Sequence, residues 1–217
     1  MMLRLLKHKI VIICGHFGTG KTNIAVNLAI SGAKAGMKML IADLDIVNPY
    51  FRTADNAEYL KALGVTTLIP PYANTNVDIP SLPPAMHTIF SDDNYAIIDV
   101  GGNAEGGVVL GVFKEDFEKA GYDMYYVFNA CRPENLDAQT SLSSLKSIER
   151  SSGLKFTGII NNTNLGVETT RDLVEWSIPK AVEFSNLAGI KLVMTTAFEQ
   201  SASGDTVAIQ DITKKIF

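Results

Sequence analysis

Cysteine is scarce in this chain: Cys14 and Cys131 are the only two in 217 residues, too few for a disulfide framework. Long apolar runs are missing as well. A membrane-spanning helix needs about 20 consecutive apolar residues, and no stretch approaches that. The opening segment is broken by Arg4, Lys7 and Lys9 too early to serve as a secretory leader. Positive charge is not in excess either: the formal net charge of -4 argues against a broad basic surface for nucleic acid. What is left is a soluble, globular composition, 47% hydrophobic and 19% charged. These limits predict a cytoplasmic protein with reduced thiols, folded as one domain over residues 1–217.

Glycine, by contrast, is concentrated where it carries meaning. The stretch Cys14-Gly15-His16-Phe17-Gly18-Thr19-Gly20-Lys21-Thr22 fits the phosphate-loop pattern, a glycine, four residues, then Gly-Lys-Ser/Thr. It follows the apolar run Ile10–Ile13 and precedes a helical pattern, which is the strand–loop–helix context the motif requires. Backbone N–H groups of Gly15, His16, Phe17, Gly18, Thr19 and Gly20 are expected to cradle phosphate oxygens, with the helix dipole behind them. Lys21 is expected to reach the outer phosphates and the Thr22 hydroxyl to hold Mg²⁺.

Ile24, Ala25, Leu28, Ala29 and Ala33 recur at helical spacing and predict a helix from Lys21 to about Ala35. Met37–Ala42 reads as a second strand, which delivers Asp43-Leu44-Asp45 at its carboxyl end. Alternation along a strand puts Asp43 and Asp45 on one side, facing the phosphates and the metal. A short helix is predicted over Ala54 to Leu63 and a strand over Val65–Ile69. Five of the eight prolines fall between Pro70 and Pro84, which predicts an extended loop there.

Tyr95–Val100 reads as an apolar strand ending in Asp99 and followed by Gly101 and Gly102. An aspartate at that place suits Mg²⁺, often through a bound water, and the glycines let a backbone N–H approach the terminal phosphate. A helical stripe is predicted from Val108 and Val112 through Phe117 and Ala120, then strand Met124–Phe128. A helix beginning at Pro133 and running through Ile148 comes next. Strand Phe156–Ile160 precedes Asn161-Asn162-Thr163-Asn164. A helix interrupted near Pro179, a strand over Lys191–Thr195 and a terminal helix carrying Ile209, Ile212 and Ile216 complete the pattern. Alternating strands and helices predict an α/β fold: a mostly parallel sheet with helices on both faces, in three layers.

Taken together, Cys14–Thr22, Ile41–Ile46, Ile97–Gly102 and Gly158–Asn161 resemble, in order, the motifs of the MinD/ParA and cobyrinate-synthase (CobQ/CobB) superfamily of P-loop proteins. The resemblance covers roughly Ile10 to Thr195. It implies an ATP- and Mg²⁺-dependent ATPase working as a nucleotide-controlled switch. By the same likeness Asp45 resembles the switch I aspartate that positions the attacking water, with Asp43 its companion near the metal. Asp99 resembles the switch II aspartate, and Asn161 the asparagine that bonds adenine. The guanine-reading pattern of the relatives needs a Lys and an Asp that Asn161–Asn164 lacks, so ATP is implied. One departure stands out. Members that dimerise across ATP carry a lysine where this chain has His16, which weakens the implied homodimer without touching nucleotide binding.

The absence of Cys-x-x-Cys argues against the iron–sulfur carrier branch. An ATP-dependent synthetase that phosphorylates a substrate carboxylate is the alternative, and the Asp43-Leu44-Asp45 pair favours the switch. A scaffold that binds ATP without hydrolysing it is the third reading, and Lys21, Asp45 and Asp99 count against it.

Overall fold

The computed structural model describes residues 2–44, 56–68, 84–91 and 93–212. Eight strands are found among them: β1 (Ile10–Cys14), β2 (Met39–Leu44), β3 (Thr66–Leu68), β4 (Tyr95–Val100), β5 (Tyr122–Phe128), β6 (Gly158–Asn161), β7 (Leu192–Phe198) and β8 (Val207–Ile209). They form one sheet in the order β3-β2-β4-β1-β5-β6-β7-β8. Every pairing is parallel. The expected α/β architecture is the observed one.

Burial on both sides explains the strand sequences. Each residue of β1 is buried, so the strand is continuously apolar rather than alternating. Its two faces still go to different cores. Ile10, Ile12 and Cys14 join one cluster with Leu110, Phe117, Leu145 and Phe184, which lie on α3 (Ala104–Val112), α4 (Lys114–Ala120), α5 (Ala138–Ser152) and α6 (Arg171–Ala188). Val11 and Ile13 join the other, with Ile24 and Leu28 of α1 (Lys21–Lys34) and Leu60 of α2 (Ala57–Ala62). Burying such side chains contributes roughly 1.5–3 kcal/mol each and drives the layering.

Several elements differ from the sequence expectation. The stripe from Val108 to Ala120 is two helices, α3 and α4, which meet at Phe113. Val108 and Val112 face outward; the buried side of α3 is Gly106, Gly107 and Leu110. The reason is close packing on α5: a Cβ at Gly107 would lie 1.9 Å from Ser151 Oγ and 3.2 Å from Ile148 O, so the bare glycine face suits that approach. α6 runs unbroken through Pro179. The helix expected from Pro133 is a 3-10 turn over Pro133–Asn135, and the α-helix starts afresh at Ala138, capped by Asp137 Oδ1 accepting from Thr140 N at 2.7 Å.

Ile209, expected on a terminal helix, lies in β8 instead. Val207 and Ile209 point into the core and Ala208 out, the period of a strand rather than of a helix. Beyond it the chain lies on α1, where Asn27 Oδ1 accepts from Gln210 N at 2.9 Å and Asn23 Oδ1 from Ile212 N at 3.0 Å. Ile216, most of the proline-rich loop, Asn48–Arg52 and the first residues of the predicted helix at Ala54 lie outside the described residues.

One buried carboxylate secures the approach to β6. Glu149 on α5 accepts from Lys146 Nζ at 2.8 Å, Lys155 Nζ at 3.2 Å and Phe156 N at 3.2 Å. Burial opposes its charge, but these three donors outweigh it and hold the carboxyl below the usual glutamate range. A depressed folded value stabilises the protein above the unfolded value of about 4.3 and loses that contribution as pH falls through the folded value. Glu149→Gln is therefore expected to cost about 1–2 kcal/mol at neutral pH. Urea unfolding of both proteins should show that gap at pH 7 and a smaller one below about pH 4.

Candidate phosphate-binding site

β1 sits between β4 and β5, and its carboxyl end opens directly into the loop from Gly15 to Gly20. That loop feeds α1, whose first turn has neither an acidic residue nor a side-chain cap. Three other helices close their N-termini with side chains: Asn103 accepts from Gly106 N, Asp137 from Thr140 N and Thr170 from Leu173 N. The amino end of α1, preceded by Gly20 at φ 84°, is left to the loop, as a phosphate site requires.

The loop is held from outside by its carbonyls. His16 O accepts from Thr19 Oγ1 at 2.8 Å and from Thr19 N at 3.2 Å. Gly18 O accepts from Arg132 Nε at 2.8 Å. Thr19 O accepts from Asn162 Nδ2 at 2.8 Å, and Asn162 Oδ1 is itself fixed by the Thr196 hydroxyl at 2.6 Å. In a trans peptide the N–H opposes the C=O, so pulling the Thr19 carbonyl onto Asn162 turns the Gly20 N–H the other way. Sequence reading singled out neither Asn162 nor this use of Arg132. Both lie on loops after later strands, β6 and β5, and only the parallel stacking of carboxyl ends brings them to the phosphate loop.

Beside the loop, parallel pairing of β2 with β4 puts Asp43 in register with Asp99. Both share a face with Ile41 and Ile97, the face covered by α1. Neighbouring strands are about 4.8 Å apart, so two carboxylates lie side by side next to the first turn of α1. Lys21, Thr22, Asp43 and Asp99 are all buried, and none of the four is without a partner. This places the predicted lysine, hydroxyl and two carboxylates at one end of one face. Asp45 lies outside the described residues.

The glycines after β4 come against the loop. A Cβ on Gly102 would fall 1.7 Å from Gly15 O and 2.7 Å from His16 Cα, so the two backbones are in contact there. Cys14 Sγ lies 3.5 Å from Gly101 O, which ties the end of β1 to the same turn. His16 and Phe17 are less enclosed. The His16 Nδ1 is 3.5 Å from Glu134 Oε2, so the imidazole faces the chain's own loop after β5, and Phe17 is 51% exposed. Cys131 in that loop is pushed up by burial, against the pull of Arg132, and stays a thiol near neutral pH.

Asn161 is bonded within the fold at both ends of its carboxamide. It is 0% exposed; its Nδ2 donates to Ser177 Oγ at 2.8 Å, and its Oδ1 accepts from Thr163 Oγ1 at 2.8 Å and Thr163 N at 3.2 Å. The carboxamide joins β6 to α6 instead of facing a base. Asn164, which ends the same stretch, is bound locally through Asn162 O at 2.7 Å and Gly166 N at 3.2 Å.

Oxygen donors dominate what a metal would meet: the Thr22 hydroxyl and the carboxylates of Asp43 and Asp99. That set is hard, and it suits Mg²⁺, which keeps waters and phosphate oxygens in its shell rather than demanding a protein cage. No group of three or more His, Cys, Asp or Glu is clustered for a metal among the described residues.

The contact at Gly102 makes a direct test. Gly102→Ala must push the phosphate loop or the turn after β4 aside. Nucleotide affinity, read by calorimetric titration, should fall about tenfold or more, equivalent to about 1.4 kcal/mol or more. The circular dichroism spectrum should stay that of the folded protein.

No protein-family model and no curated sequence matches the chain. Solved structures do. The signal recognition particle receptor FtsY from Elizabethkingia anophelis is 17% identical, with a TM-score of 0.53 over 90% of this chain and 61% of that one. FlhF, solved with GTP/Mg²⁺, is 18% identical, with a TM-score of 0.57 over 94% of this chain and 71% of that one. The signal recognition particle 54 kDa protein from Aeropyrum pernix K1, solved with GDP, is 17% identical, with a TM-score of 0.56 over 91% and 42%. The chain thus spans about three fifths of that FtsY and less than half of the 54 kDa protein. None of the three is a MinD or ParA protein, so the likeness is one of fold: an eight-stranded parallel α/β sheet of the P-loop NTPase type.

Proposed function

We propose that the chain is a Mg²⁺-dependent ATPase that works as a nucleotide-controlled switch, of the MinD/ParA-like kind. The observation that carries this reading is the convergence of Lys21, Thr22, Asp43 and Asp99, all buried, beside an uncapped helix N-terminus and a loop braced by its carbonyls. Lys21 and the loop amides bind the outer phosphates and stabilise the charge that builds on the transferring phosphoryl group. Thr22, Asp43 and Asp99 are the residues that would hold Mg²⁺, directly or through water, and the ion would supply charge neutralisation to the phosphates. Asp45 orients the attacking water, whose oxygen bonds to phosphorus as the bridging oxygen leaves with the diphosphate. Such chemistry is positioning and electrostatics, so turnover without a partner is slow.

Adenine is favoured by chemistry. Guanine presents N1–H and an amino group that a carboxylate accepts together, and Asn161–Asn164 holds no carboxylate. With Asn161 enclosed, the base is read by other groups of this region. GTP is the second reading, supported by FlhF solved with GTP/Mg²⁺ and the 54 kDa protein solved with GDP. A helix long and apolar enough to cross a membrane is absent among the described residues.

Titration of the protein with ATP and GTP in the presence of Mg²⁺ decides between the two, and Lys21→Ala should abolish binding of either. Undiminished affinity in that variant would overturn the site. Asp45→Ala should bind Mg²⁺–ATP but not hydrolyse it. If the switch works by self-association, sedimentation of this variant shows a dimer with ATP and a monomer with ADP. An unchanged mass would favour a switch that works without dimerising or the synthetase alternative, in which a substrate carboxylate takes the phosphoryl group.

A further inference from the structure

Arg132 is far from the phosphate loop in sequence and touches it in space. Its Nε donates to Gly18 O at 2.8 Å, and a Cβ on Gly18 would lie 3.0 Å from its Cζ, so the guanidinium packs against the Gly18 backbone. The backbone that presents it is itself fixed: Arg132 N donates to Asn129 O at 3.0 Å, Asn135 N donates to Arg132 O at 2.8 Å, and Pro133 follows. No carboxylate pairs with Arg132 among the described residues, and the bond through Nε leaves both terminal nitrogens of the fork unspent. A half-buried guanidinium held by one nitrogen, with its bidentate end uncommitted, is suited to an oxyanion.

The charge balance calls for one. A nucleoside triphosphate carries more negative charge than one Mg²⁺ and Lys21 neutralise, and Asp43, Asp99 and Glu134 add to it. Gly18 lies midway along the loop, two residues after His16, where the turn at Gly102 meets the backbone, and three before Lys21. The terminal phosphate carries the most negative charge of the three, so it is the one a further cation stabilises most.

We propose that Arg132 is a second phosphate-binding cation of this site, bonding the terminal phosphate of a bound triphosphate through its two terminal nitrogens while its Nε holds the loop at Gly18. The proposal rests on the nucleotide reading above and adds to it the residue that distinguishes triphosphate from diphosphate.

The test is calorimetric titration of the full chain with a non-hydrolysable triphosphate and with the diphosphate of the same base, both with Mg²⁺, for the wild type and for R132A, R132Q and R132K. R132A and R132Q should lose about tenfold or more in affinity for the triphosphate and little for the diphosphate, and R132K should recover part of the loss because charge returns without the fork. Equal losses for the two ligands would mean that Arg132 only braces Gly18, and unchanged triphosphate affinity would mean that it does nothing there; either overturns the proposal. R132Q keeps an amide donor for Gly18, so a melting temperature near the wild type's separates lost binding from lost folding. The two readings fail differently. A wild type that binds neither ATP nor GTP overturns the nucleotide site itself. A wild type that binds, loses binding on K21A and keeps it on R132Q overturns the role of Arg132 alone.

Discussion

The fixing of three loop carbonyls is the constraint on which the candidate site depends. A phosphate cradle needs backbone N–H groups turned toward a common centre, and each such turn leaves a C=O on the outside that must be satisfied. Here His16 O is taken by Thr19, Gly18 O by Arg132 and Thr19 O by Asn162. One partner is local and two come from loops after β5 and β6. Since an unmet buried carbonyl costs about 1–3 kcal/mol, these bonds decide whether the loop stands in its binding form before any ligand arrives.

A parallel sheet is what makes such bracing possible. Every described strand ends on the same edge, so the loops after β1, β4, β5 and β6 gather there, beside the end of β2. The register of β2 on β4 then aligns Asp43 with Asp99, while alternation turns both toward α1. The geometry of the candidate site and core packing are thus one arrangement: the residues two places earlier, Ile41 and Ile97, fill the core under the same helix. A slip of one residue in either strand would bury a carboxylate against the opposite cluster.

Much of this was legible in the chain because the signals are local. Continuous β-branched runs marked β1 and β4, glycine after strand marked the loop, and the acidic residues stood at strand ends. Misreadings came where packing overrode local pattern. Val108 and Val112 looked like a core stripe, but the glycines beside them let α3 approach α5 with its bare face. Pro179 looked like a break, yet α6 continues through it. Ile209 and Ile212 looked helical, but Ile209 ends β8 and Ile212 N donates to Asn23 Oδ1 on α1. Asn161 has the motif position of a base reader and is enclosed between β6 and α6.

The sequence by itself determined the class of fold and the strand–loop–helix setting of the glycine-rich loop, because periodicity and glycine spacing are properties of neighbouring residues. It also placed Lys21, Thr22, Asp43 and Asp99 in elements that could serve one site. Only the tertiary structure decided which side chains hold that loop in shape, and which asparagine is spent on the fold. Those choices depend on strand order and register, which bring together residues more than a hundred positions apart, such as Gly18 with Arg132 and Thr19 with Asn162. No local pattern encodes such a meeting, since its energy comes from groups that become neighbours only once the sheet has formed.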